Sequence, residues 1–358
     1  MDRNIISLKT ALLGFVCLGA VILSGIALLA MQSRVSDYRA AALERAVMVR
    51  AQGVALDLSR TLEQDWSALI AVAGQVEPQN LDAMGVAVDT LAGDRQRISW
   101  AGYAGLDGRV AAASGDMLLD ADITERLWYQ RGLQGDFAGD ARNAILLNQL
   151  LGGTEEEPIR FLDLSTPVRN AEGDVQGVLA LHLNFNWTSA FLAETAATLG
   201  IDLFLVSQDG TVIFASDGSV PAQLDLPSMR AARVGVQVSG TEVWPDGETY
   251  LTSVIPQVVY GDLPSFGWRL VARIDQQALA SPDTTLDEAI FALLAAGAVI
   301  LLVMTLVFYR MFLAPFQRLA REATQIVEGE MVFPSENHTT REAALLATAL
   351  VRLQDGDG

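Results

Sequence analysis

Asp107-Gly-Arg-Val-Ala-Ala-Ala-Ser114 returns later in the chain as Asp209-Gly-Thr-Val-Ile-Phe-Ala-Ser216, and this repeat decides the fold. Asp, Gly, Val, Ala and Ser coincide between the two copies. An Asp-Gly pair beside a run of β-forming residues is a signal for a strand, a tight turn and a second strand. The sequence therefore predicts the same strand–turn–strand element twice.

A second pair of strands is predicted after each copy. In the first copy, residues 162–168 turn through 171–174 into 177–185. In the second copy, residues 252–255 lead through a longer loop into 267–273. Each unit then holds about four antiparallel strands, and the first also contains helix and loop between its strand pairs. Antiparallel sheets covered by helices define the α+β class.

A long helix is predicted before the repeats. Residues 35–76 lack proline, and apolar side chains recur there at spacings of three, four or seven, which places one apolar stripe along a helix. The stripe comprises Leu43, Val47, Val54, Leu58, Leu62, Trp66 and Leu69. We expect this helix to form a stalk that packs onto the units that follow, with Trp66 in the core.

Two uncharged runs, residues 10–33 and 289–309, are long enough to cross a bilayer. A membrane-spanning helix needs about 20 apolar residues. A helix buried in a large soluble core is the alternative for either run, and the first run could also be a cleaved signal peptide. The apolar core of a signal peptide is typically about 7–15 residues long, which is shorter than this run. We therefore predict two membrane spans, at 10–33 and 288–310.

Basic residues flank both predicted spans. Arg3 and Lys9 precede the first span, and a group follows the second: Arg310, Arg318 and Arg321. The positive-inside rule then places both termini in the cytoplasm and the intervening segment outside. The arginines between residues 34 and 50 oppose this orientation, but long domains cross the membrane largely regardless of their charge.

Composition excludes several classes of function. The 358-residue chain has a formal net charge of −19, which argues against a nucleic-acid partner because phosphate binding needs a basic face. A single cysteine, Cys17, excludes an internal disulfide framework and a cysteine-based zinc site. Two histidines, His182 and His338, leave little for a metal site or a catalytic triad. We predict no catalytic site, no metal and no cofactor in this chain.

The combined pattern resembles the double Cache sensor domains of bacterial receptors. Residues 123–131, Ile-Thr-Glu-Arg-Leu-Trp-Tyr-Gln-Arg, are similar to the R-x-W-[YF] signature of that family. Residues 165–170 and 177–182 are similar to its characteristic strand pair, and the likeness extends over residues 35–280. The resemblance implies two tandem PAS-like (Cache) sheets, a membrane-distal first unit that binds ligand, a membrane-proximal second unit, and a location in the bacterial inner membrane.

The same resemblance implies a ligand site around Arg126, Trp128 and Tyr129. An arginine offers a planar fork of donors that matches a carboxylate, and Trp and Tyr wall a pocket with flat surface. In the amino-acid-binding branch of the family this trio holds the ligand carboxylate, while acidic residues hold the ammonium. Here His182 stands at one such acidic position, and residues 144–151 offer no clear acid. We therefore expect a small carboxylate or related anionic metabolite.

Structural roles compete with these binding roles. Trp128 could belong to the core, with Arg126 paired to Asp122 or Asp136. His182 alternates with the leucines of its strand and is predicted to face away from them, where it could line the pocket or be an ordinary histidine. Arg131 is included in the candidate site, although a solvated helix face would also explain it.

After the second span, two apolar stripes repeat one spacing. The first contains Phe316, Leu319, Ala323 and Ile326, and the second contains Ala343, Leu346, Leu350 and Leu353. With Pro315, Gly329 and Glu342 they resemble a HAMP linker, which implies a parallel homodimer. An amphipathic helix on the inner leaflet is the alternative. The predicted boundaries are tail 1–9, span 10–33, stalk 34–79, distal unit 80–195, proximal unit 196–287, span 288–310 and HAMP-like segment 311–358.

The predicted partners are a small-molecule ligand, a second copy of the chain, membrane lipid and a separate cytoplasmic signalling protein. The leading interpretation is a membrane-bound sensory receptor that binds this ligand and transmits a conformational signal across the membrane. Two other functional classes remain open. The chain could be the sensory front end of a histidine kinase or diguanylate cyclase, or a membrane-tethered binding protein that does not signal.

Overall fold

The computed structural model describes residues 8–143, 147, 150–151, 158–219, 224–275, 284–330, 332 and 341–356. The chain divides into two compact units. One, here called the α+β body, is Arg39–Ser281; the other, here called the helical unit, combines Met1–Tyr38 with Pro282–Gly358. Most of the predicted tail 1–9, and His338, lie outside the described residues.

Helix α1, Leu8–Gln75, is continuous, so the first predicted span and the predicted stalk are one helix. Six of the seven predicted stripe residues are buried in the body, and Leu43 packs against the same core. Trp66 is 2% exposed, so its predicted place in the core is confirmed. A short helix that the sequence analysis did not predict, α2 at Leu81–Ala92, follows; its N-terminus is capped by the Asn80 side chain, which accepts from the backbone N–H of Ala83.

The first sheet contains five antiparallel strands: β1 Ile98–Gly105, β2 Val110–Ala113, β3 Phe137–Asn143, β4 Arg160–Arg169 and β5 Val175–Asn184. Their order is β2-β1-β5-β4-β3. Helix α3, Leu127–Gly132, lies between β2 and β3 in the chain. Helix α4, Phe185–Leu199, leads from β5 to the second sheet.

The second sheet repeats this arrangement. Its strands are β6 Asp202–Val206, β7 Val212–Ala215, β8 Ser239–Val243, β9 Thr249–Ile255 and β10 Arg269–Asp275, in the order β7-β6-β10-β9-β8. Helix α5, Pro227–Val234, precedes β8. The predicted α+β class with two tandem PAS-like sheets is confirmed, but the predicted count of about four strands a unit is wrong. The missed strands, β3 and β8, are polar edge strands that lack an apolar alternation.

One core joins the inner faces of both sheets to α1, α2 and α4, and a separate cluster lies on the outer face of each sheet. Strand β5 shows the division: Leu179, Leu181 and Leu183 belong to the shared core, whereas Val178 and Ala180 belong to the outer cluster. His182 has the same parity as these two residues, as the predicted alternation requires.

Within its described residues, the helical unit contains three further helices: α6 Thr284–Phe308, α7 Ala314–Val327 and α8 Arg341–Gly356. A π-helical turn, Tyr309–Leu313, joins α6 to α7. Two segments, Leu13–Met31 and Ile290–Val327, lie in helices long and apolar enough to cross a membrane. Helices α7 and α8 pack together through residues from both predicted stripes: Leu319, Ala323, Ile326, Ala343 and Leu350.

Candidate functional site

A small cavity of about 40 Å³ lies on the outer face of the first sheet. It is bounded by the start of β1, by β2, by β5, by edge strand β3 and by the segment that leads into α3. Its lining comprises Trp100, Val110, Leu118, Ala121, Asp122, Ile123, Arg126, Trp128, Arg142, Leu147 and His182. The structure thus brings three predicted site residues, Arg126, Trp128 and His182, to one cavity.

Aromatic rings form one wall of the cavity. Trp100 stacks on the His182 imidazole with ring centroids 4.7 Å apart, and Trp128 meets the same imidazole edge-on at 5.6 Å. The Trp100 indole donates its N–H to the carbonyl of Met117 at 2.9 Å, so this polar group is already satisfied. The rings therefore offer flat apolar surface to a small ligand, as wall residues of small-molecule sites commonly do.

A buried carboxylate lies beneath this wall. Asp163 on β4 is the direct cross-strand neighbour of His182, and its side chain is 1% exposed. Arg142 donates to both carboxylate oxygens, from Nε at 2.6 Å and from Nη2 at 2.9 Å. His182 Nδ1 lies 2.7 Å from Oδ1, without a regular hydrogen bond. The bidentate ion pair with Arg142 uses both carboxylate oxygens of Asp163. This carboxylate is consequently not free to hold a ligand ammonium.

Arg126 stands at the N-cap position of α3, where its side chain makes no cap hydrogen bond, and it is exposed. No salt bridge joins it to Asp122 or Asp136, the two partners suggested by a purely structural role. Asp122 instead accepts from the N–H and hydroxyl of Thr124, hydrogen bonds that lower its pKa. Arg126 therefore lines the cavity without an ion pair to either acid.

Tyr129 and Arg131 are not among the residues that line the cavity. The Tyr129 side chain is buried, and its hydroxyl donates to the carbonyl of Gly105 at 2.8 Å, which fastens α3 to the end of β1. Burial, followed by the nearby charge of Asp107, raises the pKa of this phenol. Arg131 is exposed on α3.

Sequence reasoning missed two residues that shape the cavity lining, Trp100 and Arg142, and it also missed the buried Asp163, which pairs with Arg142. One signal was present, because Asp163 interrupts the apolar strand at 161–165 and a buried acid requires a partner. Nothing local pointed to Arg142, since β3 and β4 are separated by residues 144–159 in the chain and their pairing shifts in register between Gly139 and Arg142.

No protein-family model matches the sequence, and no curated protein is significantly similar to it. Solved structures do match. The extracellular domain of the histidine kinase candidate rpHK1S-Z16 has a TM-score of 0.51 and 15% identity, over 68% of this chain and 98% of that domain. The ligand-binding domain of the Pseudomonas aeruginosa amino-acid chemoreceptor PctC, solved with GABA, has a TM-score of 0.48 and 16% identity, over 66% and 100%.

A further match is an extracellular ligand-binding receptor from Desulfohalobium retbaense, with a TM-score of 0.48 and 14% identity over 64% of this chain. The matched region spans 40% of that receptor's length. At these identities the likeness concerns the fold. The α+β body therefore shares the fold of the extracellular domain of that histidine kinase candidate, and the predicted likeness to receptor sensor domains is confirmed at the level of the fold.

Proposed function

We propose that the chain is a membrane-bound sensory receptor whose first sheet unit binds a small extracytoplasmic metabolite. The observation that carries the proposal is the cavity itself: an aromatic wall with an arginine that has no ion pair to Asp122 or Asp136, on a sheet with the fold of extracellular sensor domains. Two apolar helices long enough to cross a membrane support a receptor that passes its signal to the other side.

A small carboxylate is the ligand class that the charges favour. The Arg126 guanidinium can hold a carboxylate through two parallel hydrogen bonds. Tyr129 supports this site indirectly because it fixes α3, and Arg131 adds positive charge on the same helix. The Asp163 carboxylate, which might otherwise attract an ammonium, is neutralised by Arg142.

An amino acid is the second candidate, and Asp122 is the observation that favours it. This acid also lines the cavity and stays ionised, so a ligand ammonium could pair with it. Asp122→Asn separates the two candidates. It should weaken binding of an amino acid, and it should leave binding of a simple carboxylate unchanged or tighter because a negative charge is removed.

The remaining assignments follow from the receptor proposal. Both termini are cytoplasmic, the α+β body is periplasmic, and the bacterial inner membrane supplies the lipid around α1 and α6. Helices α7 and α8 form a HAMP-like pair that closes a homodimeric bundle and acts on a separate cytoplasmic signalling protein. Neither nucleic acid nor a cofactor is part of this mechanism, and no catalytic step is assigned to the chain.

The test is a thermal-shift screen of the full chain in detergent against a panel of mono- and dicarboxylates and amino acids. A ligand at a hundred times its Kd adds about 2.7 kcal/mol to the stability of the state that binds it. We expect a saturable rise in melting temperature with one chemical class. If every member of both classes leaves the melting temperature unchanged, the proposed ligand class is wrong.

A further inference from the structure

Arg273 occupies in the second sheet the position that His182 occupies in the first. His182 on β5 pairs across the ladder with Trp100 of β1 and with Asp163 of β4. Arg273 on β10 pairs in the same way with Asp202 of β6 and with a residue of β9. Because the two sheets have the same strand order, the Arg273 side chain lies where a cavity like that of the first unit would begin.

Three carboxylates surround the Arg273 guanidinium. Nε lies 2.9 Å from Asp202, Nη2 lies 3.0 Å from Asp217, and Nη1 lies 3.6 Å from Asp246. The Arg273 side chain is only 7% exposed, so these acids face a cation that is almost fully removed from water. Nε and Nη2 donate hydrogen bonds to Asp202 and Asp217, and Nη1 forms a longer ion pair with Asp246, so each nitrogen of the guanidinium lies near a different acid.

Aromatic rings complete the enclosure. The Arg273 Cζ atom lies 4.0 Å from the ring centroid of Tyr250, 4.2 Å from that of Trp244 and 5.2 Å from that of Phe204. Rings at these distances attract a cation through their π faces, and cages of this type recognise organic cations. We call the three rings and the three acids the Arg273 cage.

The cage is braced by contacts that do not involve Arg273. The Tyr250 hydroxyl donates to Asp246 at 2.9 Å, and the rings of Phe204 and Trp244 stack with centroids 4.8 Å apart. Trp244 is itself buried and donates its N–H to Thr252 at 3.3 Å. These contacts hold the rings and Asp246 independently of the arginine side chain.

We propose that the second sheet unit contains a guanidinium-binding site that the chain fills with its own Arg273. Filled in this way, the outer face of the second sheet is closed to free ligands, and ligand selection belongs to the first unit. Removal of the arginine side chain opens a site that takes a small free guanidinium cation. This proposal is independent of which ligand the first unit binds.

The experiment compares the full chain with Arg273→Ala, in detergent, during titration with methylguanidinium chloride at millimolar concentrations. We expect Arg273→Ala to melt at a lower temperature than the unmodified chain and to recover in a saturable way with methylguanidinium. The unmodified chain should not respond, because its site is full. Sodium chloride and methylammonium chloride at the same concentrations control for ionic strength and for charge without the planar fork.

Arg269→Ala is the matched control variant. Arg269 lies on the same strand, and its guanidinium donates to the backbone carbonyls of Ser207, Gln208 and Gly267 rather than to the cage. The melting temperature of the Arg269→Ala variant should not respond to methylguanidinium. An equal response in both variants, or no response of folded Arg273→Ala, overturns the proposal. If Arg273→Ala does not fold, refolding in methylguanidinium but not in methylammonium supports the proposal, and failure to refold in either contradicts it.

Discussion

Asp107 and Asp209 perform the same task in the two copies of the repeat. Asp107 Oδ1 accepts from the N–H of Arg109 at 3.1 Å, and Asp209 Oδ1 accepts from the N–H of Thr211 at 2.8 Å. The glycine after each aspartate has a positive φ, +74° at Gly108 and +87° at Gly210, which other residues rarely adopt. Because all of these interactions are local, the sequence alone predicted both turns.

Asp209→Asn tests the turn through its pH dependence. Hydrogen bonds from the Ser207 hydroxyl and then from Thr211 hold the pKa of Asp209 below its ordinary value of 3.8. A lowered pKa contributes stability that is present above pH 3.8 and is lost as the pH falls through the folded value. We therefore expect the unmodified chain to have a higher melting temperature than Asp209→Asn at pH 7. The difference between the two melting temperatures should shrink towards pH 3. A constant difference across this range would contradict the assigned role.

The candidate site was only partly predictable at this scale. Arg126 and Trp128 belong to one short motif, so a local likeness could find them. Arg142 and Asp163 come together only when edge strand β3 pairs with β4, and a shift of register next to Arg142 sets its direction. No spacing in the sequence encodes such a contact, because it depends on how two strands that are distant in the chain pair.

Asp163→Ala should strongly destabilise the fold. The change leaves Arg142 without its bidentate partner, and breaking a buried ion pair from one side costs about 3–5 kcal/mol. We expect the low end, about 3 kcal/mol, because the Arg142 side chain is 28% exposed. Asp136→Asn is the control, since Asp136 is exposed and only accepts from the Thr166 hydroxyl. Denaturant unfolding measures both; similar losses would mean that the buried pair contributes little.

At the scale of elements, the apolar stripes were the most reliable signal. The stripe on α1 predicted the buried face of a helix, and the alternation of β5 predicted which residues face the outer cluster. Strands β3 and β8 were missed because an edge strand buries one side and pairs along one edge only, so polar residues are tolerated there. Helix α2 was missed because it is short, and its buried stripe has only three residues, Met84, Val88 and Ala92.

Trp66→Ala tests how α1 is held. Trp66 is 2% exposed, and removing a buried aromatic side chain from a core costs about 3–5 kcal/mol. Ile70→Ala, one helical turn later, is the matched control because Ile70 is 39% exposed. We expect a clearly larger loss of unfolding free energy for Trp66→Ala in denaturant titrations. Equal losses would indicate that the stripe does not anchor the helix.

The proposed homodimer predicts that Leu346 meets a second copy of the chain. Leu346 belongs to the predicted stripe on α8, but it is 44% exposed, whereas Leu350 is covered by α7 within one chain. Cysteine introduced at Leu346, with Cys17→Ala to remove the native thiol, should cross-link between chains on oxidation.

Arg352→Cys in the same background is the control for this cross-link. Arg352 is exposed on the same helix outside the stripe. The account predicts little cross-linking at this position. Equal yields at the two positions, measured on non-reducing gels, would argue against a bundle interface along the stripe.

At the scale of the whole α+β body, strand β3, which lines the cavity, also contacts residues of the second sheet unit. Asp140 on β3 accepts a hydrogen bond from the Trp268 indole at 2.8 Å, two residues before the cavity residue Arg142. Nearby, Arg160 donates to the carbonyl of Ile213 at 3.2 Å. A ligand that favours one position of β3 would therefore bias the contact between the two sheets, provided that its affinity differs between the two states.

The measurement that tests the receptor proposal most directly is calorimetric titration of the ligand found by the thermal-shift screen. Arg126→Ala removes charge-assisted hydrogen bonds worth about 1.5–3 kcal/mol each. Loss of one such hydrogen bond lowers the affinity about ten- to a hundred-fold, at 1.4 kcal/mol per factor of ten, and loss of both lowers it further. Arg126→Lys should recover only part of the loss because an ammonium lacks the planar fork. Arg131 is exposed on the same helix and lies outside the cavity lining. The Arg131→Ala variant should therefore bind the ligand with nearly the affinity of the unmodified chain. An unchanged affinity in folded Arg126→Ala would contradict the proposed site.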